Sequence, residues 1–149
     1  MINSRDLADL HPLVAAKARA LLARCEALGI DLLVTSTYRD GEAQAKLYAQ
    51  GRTAPGHIVT HARPGQSFHN WRVAFDIVPL RHGKPVWGTA GEDGALWAKV
   101  GDLGEAVGLG MGRAVAEVPR VSPLPVYGWA DVGGLSRREV AVLSEMQRW

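Results

Sequence analysis

The chain has 149 residues, 47% of them apolar and 21% charged, with a net charge of +2. That is the length of one domain and the composition of an ordinary globular protein, and a charge this small gives no argument for nucleic acid as a partner. The pI near 8.9 allows weak attraction to anionic polymers, bacterial cell wall included, and a lone Cys25 excludes both an internal disulfide framework and a Cys-based zinc site.

The opening "MINSRDLADLHPLV" has no long apolar stretch of the kind a signal peptide needs. No segment approaches the run of about 18–20 apolar residues required to span a bilayer. The expectation is a protein made in the cytoplasm and not inserted in a membrane.

"LHPLVAAKARALLARCEALG" places apolar residues at helical spacing, from Leu13 through Leu21, Leu22 and Leu28, with Gly29 as C-cap and Cys25 buried in the helix. "IDLLVTSTYR" is a short β-branched run that reads as a buried strand. Asp40 is placed to N-cap the next helix, "GEAQAKLYAQG", which Gly51 closes. "RTAPGHIVTHARPGQS" is a loop punctuated by Gly and Pro. "WRVAFDIVPL" alternates as a strand, with Val73, Phe75 and Ile77 on one side and Ala74 and Asp76 on the other. "RHGKPVW" reads as a hairpin turn into another short strand. "GEDGALWAKVGDLGEAVGLG" is helical, with Leu96, Val100, Leu103 and Val107 on one stripe. The pattern to this point is α+β, a small antiparallel sheet with flanking helices. After Leu109 the character changes: Gly, Pro, Val and Ala dominate residues 110–134 with no clear period, and helical spacing returns only in the tail, at Val140, Leu143 and Met146. There is no internal repeat.

"SFHNWRVAFD" is the densest chemical segment. His69 stands at the mouth of the predicted strand and Asp76 within it, seven residues on. A bend between them can aim an imidazole and a carboxylate at one point, a donor pair suited to zinc, although a His and an Asp at this spacing also fit a purely structural role. Arg39 lies at a strand end, where its planar fork can bind a carboxylate or a developing oxyanion, or can pair with Asp40 or Glu42. His57 and His61 fall in the polar loop and are expected to be exposed; His11 and His82 read as surface residues.

Taken together, "STYRDGEAQAKLYAQGRTAPGHIVTHARPGQSFHNWRVAFDIVPLRHGKPVW" resembles the zinc peptidases that cut bacterial peptidoglycan. These are the D-Ala-D-Ala carboxypeptidases and, closer to this chain, the L-alanyl-D-glutamate endopeptidases used as phage endolysins. The resemblance spans residues 13–109. The family pattern is Ser-x-His, an Asp seven residues after the His, and an upstream Tyr-Arg and Gln; Ser67, His69, Asp76, Tyr38, Arg39 and Gln44 fit it. Many members have Gly where this chain has Arg72. The resemblance implies the family's α+β zinc-peptidase fold, one zinc ion with His69 and Asp76 as two of three protein ligands, and Arg39 stabilising the transition-state oxyanion. Tyr38, Ser67 and Gln44 would bind substrate. It implies hydrolysis by a zinc-polarised water with a carboxylate general base. The implied partner is a peptidoglycan stem peptide, with no nucleic acid and no membrane insertion, acted on by a monomer that stays in the cytoplasm until phage lysis releases it.

The family places its general base and third ligand near the C-terminus, as Asp/Glu-x-Pro-His. Here the corresponding positions hold Pro123, Pro125, Val126 and Gly128, and no His occurs after His82. Two protein ligands instead of three weaken metal binding by orders of magnitude. Codons for residues 110–138, read one base later, can encode "EWAGRWRKFREFPHFQYTGGLTLADFRAG". Some letters are forced: Met111-Gly112 must yield Trp, Glu117-Val118 Lys or Arg, and Trp129-Ala130 Gly. That string has the family's Glu-Phe-Pro-His. The expectation is therefore a single peptidase-like domain with a family-like part over residues 1–109 and an out-of-frame tail over 110–149. Such a chain is an impaired hydrolase by descent that holds zinc weakly if at all. Two other readings remain: a non-catalytic binder of cell-wall peptides, and a rebuilt site in which Glu117 or Asp131 supplies a new ligand.

Overall fold

The computed structural model describes residues 1–109. Over this span the chain folds as α+β, with three helices and a three-stranded antiparallel sheet in the order β1-β2-β3. Helix α1 runs Pro12–Ala27, β1 Asp31–Ser36, α2 Gly41–Ala49, β2 Asp76–Arg81, β3 Lys84–Pro85 and α3 Gly91–Ala106. None of the described helices is long and apolar enough to cross a membrane.

Helix α1 starts where Pro12 fills the first helical position, whose amide would lack a partner in any case. It stops in a Schellman motif: Gly29 donates to the Glu26 carbonyl at 2.9 Å and Ile30 to that of Cys25 at 2.9 Å. Its buried face is Val14, Ala15, Ala18, Leu21 and Cys25, whereas Leu13 and Leu28, at the two ends of the apolar series, are exposed. Burial raises the pKa of the Cys25 thiol, as an apolar seat does. Helix α3 buries Trp97, Val100 and Gly104, a stripe rotated from the Leu96, Leu103 and Val107 edge, which is only half covered. Helices α1 and α3 contact each other, α1 contacts β1, and α3 contacts β2. Between them Leu10, Leu21, Phe75, Ile77, Val78, Trp97 and Val100 form the apolar core. Fully burying each of the larger of these contributes roughly 1.5–3 kcal/mol.

Strand β2 begins at Asp76, later than alternation predicts. Val73, Ala74 and Phe75 are all buried, so the approach to the strand is covered on both sides and carries no period of two. The hairpin after it turns through His82 (φ 52°) and Gly83 (φ 72°), the pair of positive dihedrals that a type I′ turn requires. The other end of the sheet positions the site. Val34 pairs with Ile77 and Ser36 with Asp76, which leaves Thr35 as an extra residue in β1. Such a bulge bends a strand and re-aims the side chains beyond it. The segment leaving β1 then pairs with the chain's first residues: Thr37 donates to the Ser4 carbonyl at 2.7 Å, Ser4 to that of Tyr38 at 2.8 Å, and Asp40 to that of Ile2 at 2.9 Å.

The readings of Glu117, Asp131 and the out-of-frame tail lie outside the described residues.

Candidate active site

The bulged end of β1, the first turn of α2 and a 3-10 turn at Phe68–Trp71 converge on one polar cluster. Arg39, Gln44, Thr37, Ser36 and His69 are buried there, and Asp76 borders them.

Helix α2 is set by Asp40, whose carboxylate accepts from the Ala43 amide at 2.8 Å. That bond, ahead of a contact with the Ile2 amide, holds the Asp40 pKa below the ordinary carboxylate value. The capped helix presents Gln44 inward. Gln44 is fully buried and both ends of its amide are used. Its Oε1 accepts from Arg39 Nη1 at 2.9 Å, and its Nε2 donates to the Ala62 carbonyl at 2.8 Å and to Thr60 Oγ1 at 3.4 Å. Arg39 Nη2 donates to Ser36 Oγ at 3.1 Å and lies 3.8 Å from Asp76 Oδ2. The Ser36 hydroxyl donates its own proton to Asn3 Oδ1 at 2.8 Å. Arg39 therefore pairs with Asp76 and is held from two sides, while Asp40 and Glu42 are occupied at the amino-terminal segment. Burial lowers the guanidinium's pKa and the Asp76 carboxylate opposes that shift; an Arg stays charged under either influence. Arg39 Nε is buried with no hydrogen-bond partner among the described residues.

His69 sits in the 3-10 turn, its Nδ1 2.7 Å from the Thr37 carbonyl. A carbonyl only accepts, so Nδ1 carries the proton and the neutral ring keeps a lone pair on Nε2. That nitrogen is 3.3 Å from Asp76 Oδ1, an oxygen buried with no hydrogen-bond partner among the described residues. Two lone-pair atoms repel at this distance, so the arrangement is favourable only with a proton or a cation between them. An imidazole whose far nitrogen is tied to a backbone carbonyl is the usual arrangement around a metal-bound His. His69 and Asp76 thus fit zinc as two donors. Among the described residues no group of three His, Cys, Asp or Glu side chains completes a set.

The remaining sequence-predicted residues lie around this centre. Ser67 precedes the 3-10 turn and its hydroxyl makes no capping bond. Tyr38 is half-buried with the Arg72 guanidinium stacked 4.0 Å from its ring centre. His57 and His61 are exposed in the loop, as expected, and His82 is exposed in the hairpin. His11 is half-buried and caps α1 through Nδ1. Asn70 is a participant that sequence reasoning missed. Its Nδ2 donates to the Arg39 carbonyl at 2.7 Å and its Oδ1 accepts from the Gly65 amide at 2.9 Å, which ties the loop to the turn after β1. Its position beside His69 was the available signal. Gly51, with φ 73°, is fixed by the same loop: a Cβ there would lie 2.5 Å from the Ile58 nitrogen.

Comparison with known proteins identifies the family. The family pattern described as VanY, D-alanyl-D-alanine carboxypeptidase, matches residues 7–112. The peptidoglycan L-alanyl-D-glutamate endopeptidase CwlK of Bacillus subtilis (strain 168) is 34% identical over 125 residues, covering 78% of this chain and 75% of that protein. The family match takes in the described helices, the sheet and every residue of the polar cluster from Ser36 to Asp76. The chain belongs to the VanY D-alanyl-D-alanine carboxypeptidase family.

Proposed function

We propose that this chain is a peptidoglycan-directed zinc peptidase by descent, acting on the L-alanyl-D-glutamate or D-alanyl-D-alanine class of bond, and that its own turnover is impaired. The observation that carries the peptidase reading is the His69 ring. Its Nδ1 is fixed on the Thr37 carbonyl, and its Nε2 faces the orphaned Asp76 oxygen beside a buried Arg39.

In this reading His69 and Asp76 hold the metal. Zinc, when bound, supplies Lewis-acid polarisation of the peptide carbonyl and of the attacking water. The chain's residues supply the rest. Arg39 presents its guanidinium toward the charge that develops on the carbonyl oxygen, preorganised by Gln44 and Ser36 so that little reorientation is needed. Gln44, fully buried, acts by holding Arg39 rather than by meeting solvent-side substrate. Ser67 and Tyr38 flank the cluster where a peptide would lie.

The impairment rests on the sequence beyond residue 109. The family match ends at residue 112, and residues 113–149 contain no His. The Glu-Phe-Pro-His that the family needs is encodable one base out of frame at codons 120–123. We read residues 1–109 as the family-like part of one domain and residues 110–149 as an out-of-frame tail.

The test compares the present chain with one whose residues 110–138 are replaced by the shifted string. Both are assayed on a peptide containing an L-alanyl-D-glutamate bond, and zinc affinity is measured by chelator competition. Expected are turnover in the restored chain at least about 1000-fold above the present one, consistent with loss of a base and a ligand together, and weak zinc binding in the present chain that His69→Ala removes. Equal turnover in the two would overturn the impairment. A folded, zinc-loaded restored chain that cleaves nothing would overturn the peptidase assignment.

A further inference from the structure

Residues 43–75 contain four Lys and Arg and no Asp or Glu. The remaining 116 residues hold 13 basic and 15 acidic side chains; of the four cations Lys46 pairs with Glu42 and Arg72 with Asp9, which leaves Arg52 and Arg63, in the loop after α2, without a carboxylate partner among the described residues. Within that span two guanidinium groups gather on one aromatic ring. Arg52 stacks 4.0 Å from the Tyr48 ring centre and Arg63 lies at 5.7 Å, donating from Nε to the Tyr48 hydroxyl at 3.3 Å. Together they hold the Tyr48 pKa below its ordinary value, the Arg63 hydrogen bond first.

Neither guanidinium is within salt-bridge distance of a carboxylate among the described residues. Arg52 is used structurally, with Nη1 donating to the Tyr48 carbonyl and Nη2 to the Thr60 carbonyl. Arg63 is not: its terminal nitrogens meet no acceptor among the described residues, and its backbone amide is anchored on Gln66 at 2.9 Å. The loop beneath it is fixed at Thr60 and Ala62 by Gln44, the same side chain that holds Arg39. Gln44 and Tyr48 are four residues apart on α2 and share a face, so the cationic cluster stands just over one helical turn, about 6 Å along the axis, beyond the residue that orients Arg39. An extended peptide advances about 3.3 Å per residue. With its reacting carbonyl at Arg39, such a peptide reaches the cluster within about two or three residues.

We propose that Arg63, with Arg52 and Tyr48 behind it, is a carboxylate-binding subsite that selects acidic stem peptides; this rests on the peptide-groove reading above. Its planar fork matches a carboxylate bidentately, and its base is held by the loop anchors, so little is lost in ordering it.

The probes are L-alanyl-D-glutamate carrying a neutral dye on its amino end, and the same dipeptide with its carboxyl groups amidated. Binding to the full chain is followed by fluorescence anisotropy. The wild-type chain is expected to prefer the free acid. Arg63→Gln is expected to weaken free-acid binding by about 3–10-fold, the effect of one exposed charge-assisted contact, while leaving the amidated probe unaffected. Arg63→Lys should keep part of the preference. Equal weakening of both probes by Arg63→Gln, or an unchanged preference, overturns the subsite. Wild-type binding of both probes with equal affinity also overturns it but leaves the groove reading standing; binding of neither sinks both. A poly(glycerol phosphate) that displaces the free acid more strongly than unlabelled dipeptide does, with the same Arg63 dependence, would reassign the cluster to a wall polymer and overturn the peptide proposal.

Discussion

The apolar core between the helices and the sheet and the polar cluster at the bulged end of β1 are assembled by opposite rules. In the first, Ala18, Leu21, Val78 and Val100 are fully buried and held by non-directional contact. In the second, Arg39, Gln44 and His69 are nearly as buried, yet each is held by directed bonds to a few named atoms. Buried polar groups are ordinarily satisfied throughout. Here Thr37 Oγ1, Arg39 Nε and Asp76 Oδ1 have no hydrogen-bond partner among the described residues, and all three lie in the polar cluster. Among the described residues the apolar core is closed by side-chain contact, whereas the cluster keeps polar atoms without hydrogen-bond partners, the capacity that the proposed function assigns to a metal and a substrate.

That difference can be broken from either side. Trp97→Ala empties a large volume in the apolar core, and it is expected to cost about 4 kcal/mol, within the usual range for a buried aromatic. It should leave the His69–Asp76 pair, and the zinc affinity proposed for it, unchanged, because α3 does not contribute to the cluster. Chemical denaturation with zinc titration of the folded fraction measures both quantities. Arg39→Met keeps bulk but removes the charge, leaving Gln44 Oε1 and Asp76 without their cation. Its expected cost is smaller, about 2–3 kcal/mol, the scale of stranding buried polar atoms. Binding of a stem peptide should fall with it. If Arg39→Met proved stabilising and peptide binding were retained, the guanidinium would be a burden the fold tolerates and not a preorganised group.

The two regions were also unequally legible before folding. Periodicity located α1 and α3, while α2, through its Asp40 cap and closing Gly51, and the hairpin turn came from residue type. The helical stripes were less exact. Gly104 is buried in α3, which a hydrophobic pattern does not register, and Trp97 takes the core position in place of Leu96. The Leu13 and Leu28 positions read as apolar face, but Leu13 lies off the side that buries its neighbours Val14 and Ala15, and Leu28 is already the C-cap residue. In the polar cluster the side chains with distinctive chemistry, His69, Asp76 and Arg39, were legible by type and spacing. Their supports were not. The Thr37 carbonyl that fixes the imidazole tautomer is a backbone group with no residue signature. The Thr35 bulge comes from pairing register. Asn3 reaches Ser36 from more than thirty positions away.

Position 72 links the two regions and gives the smallest and most diagnostic change. Arg72 ends the 3-10 turn that carries His69, with φ 62° and ψ 20°. A left-handed residue with a Cβ costs roughly 1–2 kcal/mol, and glycine avoids this. In return the side chain stacks on Tyr38 at 4.0 Å and donates to the Asp9 carbonyl at 2.9 Å. These contacts contribute about 0.5–1 kcal/mol each. Arg72→Gly therefore removes strain and contacts of similar size, and its net effect should stay within about 1 kcal/mol. Arg72→Ala keeps the strain and loses the contacts, so it should be the less stable of the two by about 1 kcal/mol. Thermal melts of both variants decide the point. Equal melting temperatures would mean that the left-handed seat is not a cost, and that the arginine is retained for its contacts alone.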